Sequence, residues 1–222
     1  MGTTYFFFKW LHILSMTYWL AGEWGVFTTS RCVVDPKLSF DERMRHLESA
    51  YRIDVLARAG IILLLPLGLQ MGSMMWGIPV PQAWLNWMWV FVIGWLSLML
   101  TAFFKRGTET GIRLTRYDEY VRYFIIPALF FYSLWSLLGS GPIEPRWYAT
   151  KLGIFGVLLI IGLFLRWVMR DWFYQFKIIQ EQGPNPVVEA RLARTMAISR
   201  KVAYCYWILI GTMAWLGVAK PF

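Results

Sequence analysis

Five ionisable side chains stand inside stretches that are otherwise apolar: His12, Glu23, Arg58, Lys151 and Arg166. A charged group surrounded by hydrocarbon is expensive, so each of them marks a functional or structural role with a partner. His12, Met16, Trp19 and Glu23 recur at i, i+4, i+7 and i+11, which is one stripe of a helix. At the helical rise His12 and Glu23 are roughly 16 Å apart along that stripe. Lipid would tolerate neither group, so the stripe is expected to face a bundle interior. Glu23, Arg58 and Arg166 fall at similar depth, and neutralisation of Glu23 by one of the two arginines is expected. His12 and Lys151 fall in the opposite half.

The chain has only two histidines, and His46 lies in a polar segment. His12 admits three readings. A neutral imidazole can hydrogen-bond across helices, or it can ligate a heme iron axially. It can also join Met71, Met74, Met75 and Met88 around Cu(I), the ion that thioethers select. Methionine in an apolar helix is, however, ordinarily a packing residue. The chain lacks a Cys/His cluster with zinc spacing, a glycine-rich phosphate loop and a Ser/His/Asp set. Cys32 and Cys205 are not closely spaced and are expected as free thiols.

The elements that must position these groups are legible in the hydropathy. Of 222 residues 58% are apolar, 18% aromatic and 16% charged, against about a quarter charged in a soluble domain. Six apolar spans run roughly Tyr5–Phe27, Val55–Trp76, Trp84–Phe104, Val121–Leu138, Trp147–Val168 and Val202–Val218. Each is near the length that crosses about 30 Å of hydrocarbon. The expected fold is all-α: a polytopic membrane protein with six transmembrane helices in one bundle and one domain, plus short amphipathic cytoplasmic helices. The first span starts at once and lacks a small-residue cleavage site, so it is expected as a retained helix.

Turns rich in Gly and Pro, Gly77-Ile-Pro-Val-Pro and Gly139-Ser-Gly-Pro, join spans two to three and four to five. The connections Ser30–Asp54, Lys105–Arg122 and Arg166–Lys201 are long and carry 17 of the 22 Lys and Arg. By the positive-inside rule these face the cytoplasm, and both termini are expected to be periplasmic in a bacterial inner membrane. The net charge of +9 therefore reads as contact with anionic lipid headgroups, not as a nucleic-acid face. Ser39-Phe-Asp-Glu is a capping box opening an amphipathic helix into span two, and Pro184-Asn-Pro precedes a second, Val187–Arg200.

Four segments resemble HemJ-type protoporphyrinogen IX oxidases. They are Phe8-Lys-Trp-Leu-His-Ile-Leu with Trp19-Leu-Ala-Gly, Glu48-Ser-Ala-Tyr-Arg-Ile with Pro66-Leu-Gly, Trp147-Tyr-Ala-Thr-Lys-Leu, and Val218-Ala-Lys-Pro-Phe. They cover spans one, two, five and six, leaving Trp84–Gly139 as an inserted hairpin. The resemblance implies heme b, or a related porphyrin, bound near a first-helix histidine, with electron transfer or porphyrin oxidation as the activity. On it His12 is the axial ligand and Lys151 is the lysine at the outer end of the family's third helix; from its depth, Lys151 could meet a propionate or ligate as a neutral amine. The family's second histidine corresponds to Gly162, and its Pro-Arg pair is replaced near Phe27 and Thr28. The second axial position is then open or filled by another group; Met71 or Met74 could reach it, and a His/Met pair would raise the reduction potential. The reading from a different class is a non-catalytic subunit of a larger membrane complex, with protein partners or further copies of the chain. Copper handling is the third.

Overall fold

The computed structural model describes residues 2–183 and 185–222, and among these there are six α-helices and no strand. They are α1 (Thr3–Val33), α2 (Phe40–Met75), α3 (Gln82–Phe104), α4 (Glu109–Leu137), α5 (Arg146–Gln182) and α6 (Pro186–Ala219). Helices α2 to α6 are each long and apolar enough to cross a membrane. Helix α1 has the length, at 31 residues, but carries Lys9, His12 and Glu23 among its apolar residues.

Neighbours in sequence are antiparallel neighbours in space. Gly22 meets Ala57, Gly60 meets Ser15 and Trp19, and Gly68 meets His12, so α1 and α2 run side by side in opposite directions. The reason they approach closely is the small residues at the contact. A Cβ on Gly60 would sit 2.5 Å from the Ser15 carbonyl oxygen. Small residues of this kind let helix backbones approach each other inside lipid. Helices α4 and α5 pair through Ser133 Oγ, which donates to the Ala149 carbonyl at 2.8 Å. Helices α5 and α6 pair through Trp172 Nε1 and Thr195 Oγ1 at 2.8 Å. Six antiparallel helices bring both ends of the chain to one end of the bundle, where the Trp147 N–H donates to the Phe222 carbonyl.

The helices run longer than the apolar spans that announce them. The amphipathic segments expected at the basic end are continuous extensions of α2 and α6. Much of each long basic connection is helical as well, leaving turns of only a few residues between α1 and α2 and between α3 and α4. The Ser39–Glu42 capping box is formed in both directions. Of the Pro184-Asn-Pro signal, Pro184 lies outside the described residues, while Asn185 caps α6 through its side-chain oxygen.

Among the described residues, three apolar clusters fill the bundle; a small one joins α2 to α3 around Ile62, Val92, Trp95 and Met99, and the two larger ones follow from the length of the helices. One fills the spans and centres on Trp19, Phe155, Leu158 and Tyr206. There Trp19 Nε1 donates to the Tyr206 hydroxyl at 3.1 Å with the rings edge to face. The second lies at the basic end around Val33, Leu47, Phe176 and Leu192. Arg43 closes it, donating from Nε to the Val33 carbonyl at the end of α1 and pairing through both terminal nitrogens with Glu189. Its guanidinium also lies over the Phe176 ring. One side chain thus ties four helices together.

Candidate functional site

The intramembrane polar groups form two layers. The inner layer, toward the basic end, is built by three arginines from three helices. Arg58 bonds Asp54 one turn earlier on α2. Arg166 of α5 bonds Asp118 of α4. Arg122, one turn after Asp118, donates to the same carboxylate at 3.5 Å, and Trp95 Nε1 of α3 donates to it at 2.6 Å. Asp118 and Arg122 are 2% and 3% exposed. A buried carboxylate with donors from three helices is satisfied, which burial in a low-dielectric interior demands.

Neither Arg58 nor Arg166 is the partner of Glu23, as the spans suggested. Among the described residues no cation comes within ion-pair distance of Glu23; the arginines are taken by Asp54 and Asp118. Glu23 instead lines a cavity of about 80 Å³ together with Arg58, Arg122, Arg166 and Tyr206. An apolar-run criterion starts spans two and four just after Asp54 and Asp118, which leaves both aspartates outside the spans. The signal that could have found them is a shared spacing: Asp54 and Asp118 each precede an arginine by four residues at the start of a span.

Asp118 ties α3 and α4 to the rest of the bundle, because α4 supplies the carboxylate for Arg166 of α5 and α3 supplies a donor to it.

The outer layer surrounds His12. Its Nδ1 is buried and has no hydrogen-bond partner. Gly68 of α2 stands over the imidazole, where an added Cβ would lie 3.6 Å from Cε1. Lys151 of α5 reaches α6, and a Cβ on Gly217 would sit 2.7 Å from its Nζ. Met71 is buried one turn beyond Gly68 on α2, whereas Met74 is exposed on the outside of the bundle. The four methionines therefore do not all turn inward. No group of three or more His, Cys, Asp or Glu among the described residues is placed to hold a metal ion. Cys32 and Cys205 are free thiols.

The terminal segment is fixed against this layer. Lys220 takes a left-handed backbone conformation that caps α6. Its Nζ stands 4.9 Å from the Trp76 ring and 5.9 Å from Trp147, a cation–π arrangement. No family model, curated protein or solved structure matches the chain.

Proposed function

We propose that this chain holds heme b, or a related porphyrin, through His12 in the outer half of the bundle, and serves electron transfer or porphyrin oxidation there. One observation supports the reading above others: the four segments that resemble HemJ-type enzymes, far apart in sequence, adjoin in space. His12 of the first faces Gly68 of the second. Lys151 of the third touches Gly217, just ahead of the fourth, and Trp147 bonds Phe222 within it.

The residues fit such a group in kind. His12 has one unclaimed, buried ring nitrogen, Nδ1, and a neutral imidazole nitrogen is the commonest protein ligand to a metal. Gly68 places no side chain over the ring. Lys151 offers a cation for a propionate, and buried Met71 is the better-placed thioether, since Met74 faces outward. The iron porphyrin would supply the one-electron chemistry, and the chain would supply ligation, burial and charge.

On this reading the basic end is cytoplasmic, the membrane is a bacterial inner membrane, and both termini are periplasmic. Reporter fusions at Phe222 and Glu109 test that orientation and must report opposite sides. The second reading, a non-catalytic subunit beside other proteins or further copies, rests on α3, whose Trp84, Trp87, Phe91 and Ile93 project from the bundle. An absorption spectrum separates the two. Purified protein from heme-replete cells should show a Soret band with reducible α/β bands, abolished or shifted in His12→Ala while insertion is retained. Colourless wild type, or an unchanged spectrum in the variant, ends the heme reading.

A further inference from the structure

Six buried side-chain nitrogen or oxygen atoms lack any hydrogen-bond partner among the described residues. Four of them belong to residues that line the cavity beside Glu23: Arg122 Nη2, Arg166 Nε, Ser199 Oγ and Trp207 Nε1. All four can donate, and the guanidinium and indole nitrogens can only donate. Leaving so many donors unmade in one place is costly, because a buried donor that folding strips of water is not repaid. The ligand that answers them is rich in acceptors.

The charges point the same way. Arg58 is matched by Asp54, but the single carboxylate of Asp118 is shared by Arg122 and Arg166. One positive charge is left over in that trio. Exposed Arg200 adds another at the cavity lining. Among the described residues, Glu23 is the carboxylate there without a cation at ion-pair distance. Much of the remaining wall is apolar, with Val26, Phe27, Val168 and Met169 from α1 and α5. The cavity opens between the α1–α2 pair and the α5–α6 pair, which touch each other sparsely. It lies near the basic end, at the level where anionic headgroups gather and where basic pockets between helices take them.

We propose that this cavity is a binding site for a singly charged phosphate-type oxyanion, held by Arg122, Arg166, Ser199 and Trp207, and supplied by an anionic phospholipid or by free phosphate. It is separate from the His12 layer and stands whether or not the chain binds a porphyrin. Glu23 lines the same cavity, where its negative charge opposes an anion, so it sets the affinity.

The test uses the full chain purified in neutral detergent, with tryptophan-fluorescence melting and native mass spectrometry. The probes are phosphatidylglycerol, phosphatidylcholine and inorganic phosphate. Phosphatidylglycerol, or phosphate, is expected to bind one per chain and raise the melting temperature, while phosphatidylcholine does neither. Phosphate that stabilises alone and competes with the lipid identifies the free ion as the ligand; lipid that binds without such competition identifies the headgroup. Ser199→Ala and Trp207→Phe each remove a donor without touching an ion pair, and each should weaken binding by roughly tenfold. Glu23→Gln should strengthen it. Absence of binding by both anions, equal binding by both donor variants and the parent, or weaker binding by Glu23→Gln would each overturn the site.

Discussion

Asp118→Asn tests whether the inner polar layer holds the bundle together. The substitution keeps the shape and one oxygen for the Trp95 N–H, but it removes the charge that Arg122 and Arg166 share. Breaking a buried ion pair from one side costs about 3–5 kcal/mol, because the abandoned partner remains buried and charged. Here two guanidinium groups are abandoned, but the retained Trp95 contact offsets part of that, so about 3 kcal/mol is the working figure. It corresponds to a shift on the order of a hundredfold in the folding equilibrium. The measurement is reversible unfolding in bicelles, read by steric trapping, with the parent alongside. Asp118→Asn combined with Arg122→Gln removes one of the stranded cations and should be more stable than the single variant. If the single variant stays within about 0.5 kcal/mol of the parent, the ordinary range for a neutral substitution, the trio does not hold α4 to α5.

Gly60→Ala should destabilise by about 1–3 kcal/mol, since the new methyl collides with the Ser15 backbone and forces α1 from α2; thermal melting reads it. Glu189→Gln weakens a bidentate contact that is only partly buried and should cost about 2 kcal/mol, with faster proteolysis at the basic end as the readout. The carboxyl of Glu42 is held below the ordinary carboxylate range, chiefly by the Ser39 hydroxyl and then by the Ser39 backbone N–H. A lowered carboxylate contributes above its unfolded value and loses that contribution as pH falls through its folded one. Acidification should therefore fray the start of α2 in hydrogen exchange, and Ser39→Ala should show the same fraying at neutral pH and little further change on acidification.

The helices, their order and the two tight turns at the far end were legible because each is a local property of the sequence. An apolar run of the right length has one reading, and Gly77 and Gly139 mark where such runs stop. At the basic side the starts of α2 and α6 were legible from the Ser39-Phe-Asp-Glu box and from Asn185-Pro, whereas the polar continuations of α1, α4 and α5 were not, since a polar helix continuing past its apolar run looks like a loop to a hydropathy window. The same window hid Asp54 and Asp118, and with them the partners of Arg58 and Arg166. The sequence puts Glu23 at the level of the arginines but does not show that they turn to Asp54 and Asp118 instead; that depends on helix rotation, which small contacts such as Gly22 on Ala57 decide. Trp207 and Ser199 carried no sequence signal at all, because an indole and a hydroxyl in an apolar helix are ordinary residues until a cavity opens beside them.

Helix α5, at 37 residues, is about 55 Å long, and α2 and α6 are nearly as long. The hydrocarbon takes only about 30 Å of that. The rest stands out of the bilayer at the basic end, where Arg43 and the core around Phe176 clamp α1, α2, α5 and α6 into one stalk. A lone helix meets a thinner bilayer by tilting on its own. These four are denied that freedom, because tilting any one of them would tear the stalk. A change in bilayer thickness must instead be met by leaning the whole bundle or by deforming the lipid around it, so the cavity beside Glu23 keeps its shape while its depth in the membrane changes.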